Sequence, residues 1–204
     1  GLQISVHCCG DGAVRRTLDG YEAAINANGR RDSRHRIEHI ETITDPDIPR
    51  FAALGVVASM QPLHAPRGGL FPPMPPGVIF SDRQVRNAYP WQTLRETGAT
   101  LAFSTDWPIV PVDPMMTFAA AMFPTRPDDR WQDQRQSLHN TVAAYTRDGA
   151  YTEFAEAEKG QIKAGMLADL VCLSENLEAA DEATLRATRA VVTVCDGWVT
   201  HDGR

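Results

Sequence analysis

The stretch ATLAFSTDWP, residues 99–108, decides how the rest of the chain is interpreted. Its first part is apolar and β-prone, which is typical of a buried strand. Asp106 follows at the C-terminal end of that strand. Because parallel α/β proteins bind their ligands at the carboxyl ends of the strands, the stretch predicts a carboxylate placed at a functional site.

Strand-like and helix-like segments alternate around this stretch. The apolar, strand-like segments are LQISVH, HRIEHI, VVASMQ and ATLAFST, in that order. After the first of them, Val14, Leu18, Tyr21 and Ile25 recur at the spacing of one helix face. This repeated order predicts an α/β fold with parallel strands.

Two segments depart from the repeated order. Residues 62–80 are rich in proline and glycine, and we expect a long loop over the site, since loops of this length are usually functional or disordered. Near the end of the chain, short apolar runs surround Asp196-Gly197, a hairpin signal that predicts a small antiparallel β element. Cys172 and Cys195 lie within these runs, which predicts buried free thiols.

The composition limits the class of protein. The chain has 204 residues, 43% hydrophobic and 23% charged, enough for one globular domain with a small appendage. Its net charge of −6 argues against a nucleic-acid surface, and no apolar run approaches the roughly 20 residues of a membrane span. The start lacks the features of a signal peptide, and the cysteines form no CxxC pattern, so we expect a cytoplasmic protein.

Several predicted strands end in residue types that commonly bind metal ions in proteins. The first strand ends in His7, the second reaches His39, the third presents Gln61 and then His64, and the fourth precedes Asp106. A single histidine in an apolar strand is usually a hydrogen-bonded core residue. Two imidazoles and a carboxylate at the ends of three different strands, His7, His39 and Asp106, instead favour a site for zinc or a similar divalent ion. For His64, substrate contact and a solvent-exposed loop position remain equally open.

Two other sites are weaker alternatives. Cys8 or Cys9 could pair with His39 as a nucleophile, although the local sequence matches no nucleophile motif. The CGDG segment, residues 9–12, could cradle a phosphate at a helix start, although the full P-loop and GxGxxG patterns are absent.

Five segments together resemble a known family. They are ISVHCCGDGAV, RHRIEHIE, VVASMQPLHA, LAFSTDWP and KGQIKAGMLADLVCLS. In this order they resemble the C-terminal half of amidohydrolase-superfamily enzymes, and most of all the YtcJ-like metal-dependent hydrolases, which include N-substituted formamide deformylase. The resemblance implies a (β/α)8 barrel with a small β-sandwich. Residues 1–158 would then form barrel strands five to eight, and residues 159–204 would form C-terminal strands of the sandwich.

The resemblance also implies roles for individual residues. His7, His39 and Asp106 would bind a divalent metal ion, most simply zinc, with one or two ions in the complete enzyme. Asp106 would take a proton from a metal-activated water and pass it to the leaving nitrogen. Gln61, His64 and Trp107 would contact a small-molecule substrate, with the loop 62–80 over the pocket. The activity implied is hydrolysis of amide-type or formamide-type C–N bonds other than peptide bonds. Hydrolysis of C–O or P–O bonds, or a non-catalytic binding module, remains an alternative.

The sequence lacks parts of the family pattern. The His-x-His pair of barrel strand one has no counterpart, and no lysine precedes Lys159, so no carboxylated lysine of strand four is available. We therefore expect a C-terminal fragment that binds metal weakly or not at all and is inactive alone. An open half-barrel exposes strand edges and apolar residues, so we also expect a homo-oligomer that covers this edge.

Overall fold

The computed structural model of the chain describes residues 1–66 and 80–204. A parallel sheet is formed by four short strands: β1 (Ser5–Cys8), β2 (Arg36–His39), β3 (Val57–Met60) and β4 (Leu101–Phe103). Their order in the described sheet is β1-β2-β3-β4, so each strand pairs with the next one in the chain. Parallel neighbours need crossover connections, and helical segments supply them here.

The helices are short, apart from the first. Within residues 1–66 and 80–204 they are α1 (Asp11–Asn28), α2 (Ile48–Leu54), α3 (Asp82–Val85), α4 (Trp91–Glu96), α5 (Pro114–Met122), α6 (Leu138–Tyr145), α7 (Arg147–Thr152) and α8 (Glu182–Ala187). Short 3₁₀ turns cover Asp45–Asp47, Pro62–His64 and Leu177–Ala179. The predicted mixed α/β fold is therefore confirmed. No helix of the described residues is long and apolar enough to cross a membrane.

Helix α1 shows how the sequence pattern positions the sheet. Val14, Leu18 and Tyr21 of its predicted apolar face are buried. The Tyr21 hydroxyl lies within hydrogen-bonding distance of two backbone carbonyls, those of Ile4 (3.3 Å) and Arg36 (2.9 Å). Burial of each large apolar side chain stabilises the fold by about 1.5–3 kcal/mol. The helix is thereby held against the N-terminal ends of β1 and β2.

The two faces of the parallel sheet differ in character. The helix-covered face contributes Ile37 and Leu101 to the main core, and both are fully buried. On the other face, Ser5 of β1 donates a hydrogen bond to the Glu38 carboxylate of β2, and Arg36 lies 3.4 Å from the same carboxylate. Alternation along the strands thus makes the helix-covered face apolar, whereas the opposite face carries these polar side chains.

A second described sheet lies near the C-terminus. Its strands β5 (Leu170–Leu173), β6 (Ala190–Cys195) and β7 (Trp198–Asp202) are antiparallel, in the order β5-β6-β7. Asp196 and Gly197 form the turn between β6 and β7 with φ of 49° and 81°, as the predicted hairpin requires. Leu185 of α8 packs against α5, which joins this part to the α/β part.

The prediction that Cys172 and Cys195 are buried is wrong, because both are exposed. An apolar strand is buried only where another layer covers its face. Within the described residues much of this sheet is open, and Val171 and Trp198 are 54% and 77% exposed. Sequence pattern predicts the strand, but burial depends on the layer packed against it.

Candidate metal centre

The carboxyl ends of three neighbouring strands bring metal-binding side chains together. His39 ends β2, His64 lies in the 3₁₀ turn after β3, and Asp106 follows β4. Each residue offers one ligand atom, and these three atoms lie within 4.8 Å of one another. This convergence follows from the strand order, because parallel strands that pair in sequence present their ends along one edge.

The backbone at these positions is unusual. His39, Ile40 and Asp106 have φ of 76°, 52° and 59°, in the left-handed region that residues other than glycine rarely adopt. Each such residue costs on the order of 1–3 kcal/mol, which the surrounding structure must offset. Part of that support is visible: Ile40 is fully buried and its amide donates to the Cys8 carbonyl at 3.0 Å. Such backbone strain clusters at functional sites in proteins.

The His39 side chain fits the role of a metal ligand. It is 8% exposed, and its Nδ1 is buried with no hydrogen-bond partner among the described residues. A buried polar atom without a hydrogen-bond partner lowers the stability of the fold by about 1–3 kcal/mol. The His39 ring contacts the ring of His7 with centroids 4.4 Å apart, and it stacks on His64 at 5.5 Å. A divalent ion bound here would satisfy the buried nitrogen, and the nitrogen–oxygen donor set suits zinc.

His64 lies between two carboxylates. Its Nε2 is 3.9 Å from Oδ2 of Asp106, and its Nδ1 is 4.0 Å from Oε1 of Glu41. Burial lowers the pKa of His64, the nearby His39 lowers it further, and Asp106 acts in the opposite direction. The imidazole is therefore neutral near pH 7, and the neutral form is the one that binds metal ions.

His7 lies beside the converging atoms. Its side chain is exposed on β1, its ring contacts His39, and its Nε2 is 3.4 Å from Sγ of Cys9. Among the described residues the converging set contains His39, His64 and Asp106, and His7 is outside it. The geometry thus brings together two of the three ligands predicted from the sequence and adds His64.

Gln61 and Trp107 occupy different environments. Gln61 is 4% exposed, and its amide donates to the Ser104 hydroxyl at 2.9 Å, which links the ends of β3 and β4. Trp107 is 68% exposed next to Asp106. Of the loop predicted over the pocket, 62–80, the part from 67 to 79 lies outside the described residues.

Glu41 at the site was not predicted from the sequence, and Cys9, considered there only as a nucleophile, lies close to it. Burial raises the pKa of Glu41, while His39 and His7 act to lower it, so this carboxylate lies among the histidines. Burial, followed by the charges of Glu41, Cys8 and Asp106, raises the pKa of Cys9 to about 11. The signal for Glu41 was present in EHIE, where an acid stands two residues after His39.

The alternative sites receive less support from these contacts. Burial also raises the pKa of Cys8, so both thiols are protonated near neutral pH, and within the described structure no hydrogen bond joins either to His39. A nucleophilic thiol needs the opposite shift. At the CGDG segment, the Asp11 carboxylate accepts a hydrogen bond from Gly12 and pairs with Arg83, so an anion would meet a negative charge there.

The chain is similar in sequence to several known proteins. The sequence model of the Amidohydrolase family matches residues 1–201. Protein LONG AFTER FAR-RED 3 of Arabidopsis thaliana is 35% identical over 179 residues, which cover 86% of this chain and 30% of that protein. The putative amidohydrolase YtcJ of Bacillus subtilis is 27% identical over 209 residues, covering 99% of this chain and 38% of its own length. N-substituted formamide deformylase of Arthrobacter pascens is 24% identical over 222 residues, covering 99% and 37%. The chain therefore spans roughly a third of the length of these relatives.

Solved structures of metal-dependent hydrolases resemble the fold. An uncharacterized metal-dependent hydrolase from Pyrococcus horikoshii has a TM-score of 0.73 at 25% identity, with 90% of this chain and 36% of that chain covered. A second one, from Pyrococcus furiosus, has a TM-score of 0.66 at 30% identity, with 81% and 32% covered. Atrazine chlorohydrolase of Arthrobacter aurescens in complex with zinc matches in fold, with a TM-score of 0.65 at 18% identity and 99% and 44% covered. With a family match over nearly its whole length, the chain belongs to the amidohydrolase family.

Proposed function

We propose that this chain carries part of the active site of a metal-dependent hydrolase that cleaves amide-type or formamide-type C–N bonds other than peptide bonds. The observation that carries the proposal is the convergence of His39, His64 and Asp106 within 4.8 Å at the ends of neighbouring parallel strands. The bond class is supported by the similarity to an N-substituted formamide deformylase, which aligns with 99% of this chain.

We propose His39, His64 and Asp106 as ligands of a divalent metal ion, with zinc as the first candidate. Two nitrogen donors and one oxygen donor leave a position open, as in catalytic zinc sites. His7, assigned as a ligand from the resemblance, touches the ring of His39 and is proposed as the further ligand. When bound, the ion would polarise the substrate carbonyl and make water more acidic.

Asp106 is the proposed proton carrier. Its side chain is 39% exposed, so water reaches it, and its Oδ2 lies 3.9 Å from the His64 imidazole. In the proposed reaction, the Asp106 carboxylate accepts a proton from the attacking water, whose oxygen bonds to the carbonyl carbon. The C–N bond then breaks, and the proton passes from Asp106 to the leaving nitrogen, which gives a carboxylic acid and an amine.

Two side chains are proposed to contact the substrate, and His64, predicted from the sequence as a substrate contact, is proposed as a metal ligand instead. Trp107 offers an exposed apolar surface next to Asp106. Gln61 is the second, although its amide is held by Ser104. A fixed amide of this kind positions its carbonyl oxygen, which is buried and has no hydrogen-bond partner among the described residues.

We propose an architecture that explains the incomplete set of ligands. Residues 1–158 would be strands five to eight of a (β/α)8 barrel, and residues 159–204 would be strands of a small β-sandwich. The sequential parallel order β1-β2-β3-β4 and the coverage of roughly a third of the relatives support this proposal. Such a fragment would be inactive alone, and its exposed edge near Leu2 and Ile4 would be covered, in our proposal by a second copy.

The test is a substrate panel on the complete gene product, with and without removal of metal by a chelator. We expect N-substituted formamides or simple amides to be hydrolysed, activity to vanish with the chelator, and added zinc to restore it. Esters and phosphoesters of matched size report on the C–O and P–O alternatives. Preference for an ester or phosphoester would overturn the proposed bond class, and chelator-resistant turnover would overturn the metal mechanism.

A further inference from the structure

The two ring nitrogens of His64 face different carboxylates. Glu41 Oε1 lies 4.0 Å from Nδ1, and Asp106 Oδ2 lies 3.9 Å from Nε2. The side chains of His64 and Glu41 are 6% and 22% exposed, so this arrangement is largely shielded from solvent. An imidazole in such a position has two distinct edges, and the proton of the neutral ring can lie on only one of them.

The backbone around Glu41 is held in place. The Glu41 carbonyl accepts a hydrogen bond from the Tyr89 amide at 2.9 Å. The next residue, Thr42, forms a β-bridge with Ala88, and its hydroxyl donates to the Gln84 carbonyl. Glu41 is therefore fixed between the end of β2 and the segment before α4, and its carboxylate is directed by that anchoring.

The ion pairs of the described residues give Glu41 no arginine or lysine partner. The charged group they place next to it is the imidazole of His64. Glu38, which lies within β2, is different, because it pairs with Arg36 and accepts from Ser5. A largely buried carboxylate costs stability unless a donor satisfies it, and the Nδ1 edge of His64 lies 4.0 Å from the Glu41 carboxylate.

We propose that Glu41 is a positioning residue that keeps the proton of His64 on Nδ1, so that the lone pair of Nε2 faces Asp106 and the metal position. His64 Nδ1 and Glu41 Oε1 are 4.0 Å apart, so a small side-chain rotation or one bridging water is needed to complete the hydrogen bond between them. A carboxylate behind a histidine ligand fixes both the tautomer and the ring orientation. The consequence for metal binding rests on the function proposed above, whereas the tautomer itself does not.

The first test reads the tautomer directly. Long-range ¹H–¹⁵N correlation spectra of metal-free protein, at a pH where the imidazoles are neutral, distinguish the protonated nitrogen from the bare one. The chain has six histidines, and loss of one signal set in His64→Gln assigns His64. We expect the proton on Nδ1 in the wild type and in Glu41→Gln, whose amide oxygen still accepts. In Glu41→Leu we expect a shift of population towards Nε2–H.

The second test is the zinc affinity of the complete gene product carrying the same substitutions. Glu41→Leu should weaken zinc binding about 10–100-fold, the usual cost of losing such a support, and Glu41→Gln should stay close to the wild type. Glu38→Gln is the matched control, since it removes an acid of the adjoining strand β2, whose ion pair is with Arg36 and not with His64. Circular dichroism verifies folding, and Glu41→Ala replaces Glu41→Leu if the latter does not fold.

Two results would overturn the inference: His64 protonated on Nε2 in the wild type, or an unchanged tautomer in Glu41→Leu. Failure of the proposed function gives a different result. If no protein in the series, including the wild type, binds zinc, the metal proposal fails while the tautomer spectra still decide the role of Glu41.

Discussion

The Nε2 atom of His64 lies 3.9 Å from Oδ2 of Asp106, although one residue follows β3 and the other follows β4. The pairing of these strands holds the two side chains at one edge of the sheet. His39, at the end of the adjacent β2, completes the group. The strand order therefore places the three side chains of the proposed site together. Substitutions of His39, His64 or Asp106 should affect function more than folding.

Asp106→Asn should abolish most turnover in the complete gene product. The amide of asparagine has nearly the same shape but cannot accept the proton of the attacking water. General acid–base groups contribute about 10²–10⁴-fold to rate, so kcat should fall by at least about 100-fold.

Steady-state kinetics measure this loss, with His139→Ala as the control because His139 is an exposed histidine on α6. A non-catalytic binding module would keep its ligand affinity in Asp106→Asn. Turnover within severalfold of the wild type would contradict the role of Asp106.

The ligand set can be resolved by comparing His64→Ala with His7→Ala. The converging geometry includes His64, whereas His7 touches His39 from the side. Both residues are proposed ligands, but only His64 belongs to the converging set of the described residues, so His64→Ala should weaken zinc binding more than His7→Ala. Competition with a chromophoric chelator gives both affinities. A larger loss in His7→Ala would instead favour the ligand set predicted from the sequence, which consists of His7, His39 and Asp106.

Much of this site was predictable because strand ends are visible in the sequence. The apolar runs before His39 and Asp106 indicate strands, and parallel pairing brings their ends together. The helical spacing of Val14, Leu18 and Tyr21 likewise predicts the buried face of α1. Periodicity is a local property, and the sequence shows it directly.

The rest depends on relations between distant segments. His39 and Asp106 adopt left-handed backbone, and no residue pattern announces this where glycine is absent. The approach of Glu41 to His64 depends on a turn held by the segment before α4. The exposure of Cys172 depends on which layer covers its sheet, and a strand pattern carries no information about that.

The buried carboxylate of Asp47 should make stability depend on acid pH. Its side chain is fully buried. Burial alone would raise the pKa of Asp47, but hydrogen bonds from Arg15, Thr44 and Arg50 outweigh it and lower the pKa. A lowered folded-state pKa means that the contribution is complete above the ordinary carboxyl value of about 3.9 and is lost as pH falls through the lower, folded value.

Asp47→Asn should therefore lower the urea midpoint near pH 7 and show less further loss between about pH 5 and 2. Urea titrations across this range measure the effect, and Asp129→Asn is the exposed control. Parallel stability curves for the wild type and Asp47→Asn would show that Asp47 keeps its ordinary pKa in the folded chain.

Thiol labelling should distinguish the exposed cysteines Cys172 and Cys195 from Cys9 by their rates of alkylation. Cys172 and Cys195 are exposed, whereas burial and nearby negative charges raise the pKa of Cys9 to about 11. Alkylation requires the thiolate, so iodoacetamide at pH 7.5 should modify Cys172 and Cys195 well before Cys9. Peptide mass spectrometry over a time course gives the order. Early modification of Cys9 would instead favour a reactive thiol beside His7.

The central claim is that His39, His64 and Asp106 form a metal site, and metal content tests it most directly. Inductively coupled plasma mass spectrometry should be applied to the complete gene product and to its His39→Ala and His139→Ala variants, each purified without chelator, with His139→Ala as the exposed control. We predict at least about one zinc-like ion per molecule in the wild type and His139→Ala, and less metal in His39→Ala. Equal metal content in all three proteins, or none in the wild type, would contradict a metal site that includes these residues.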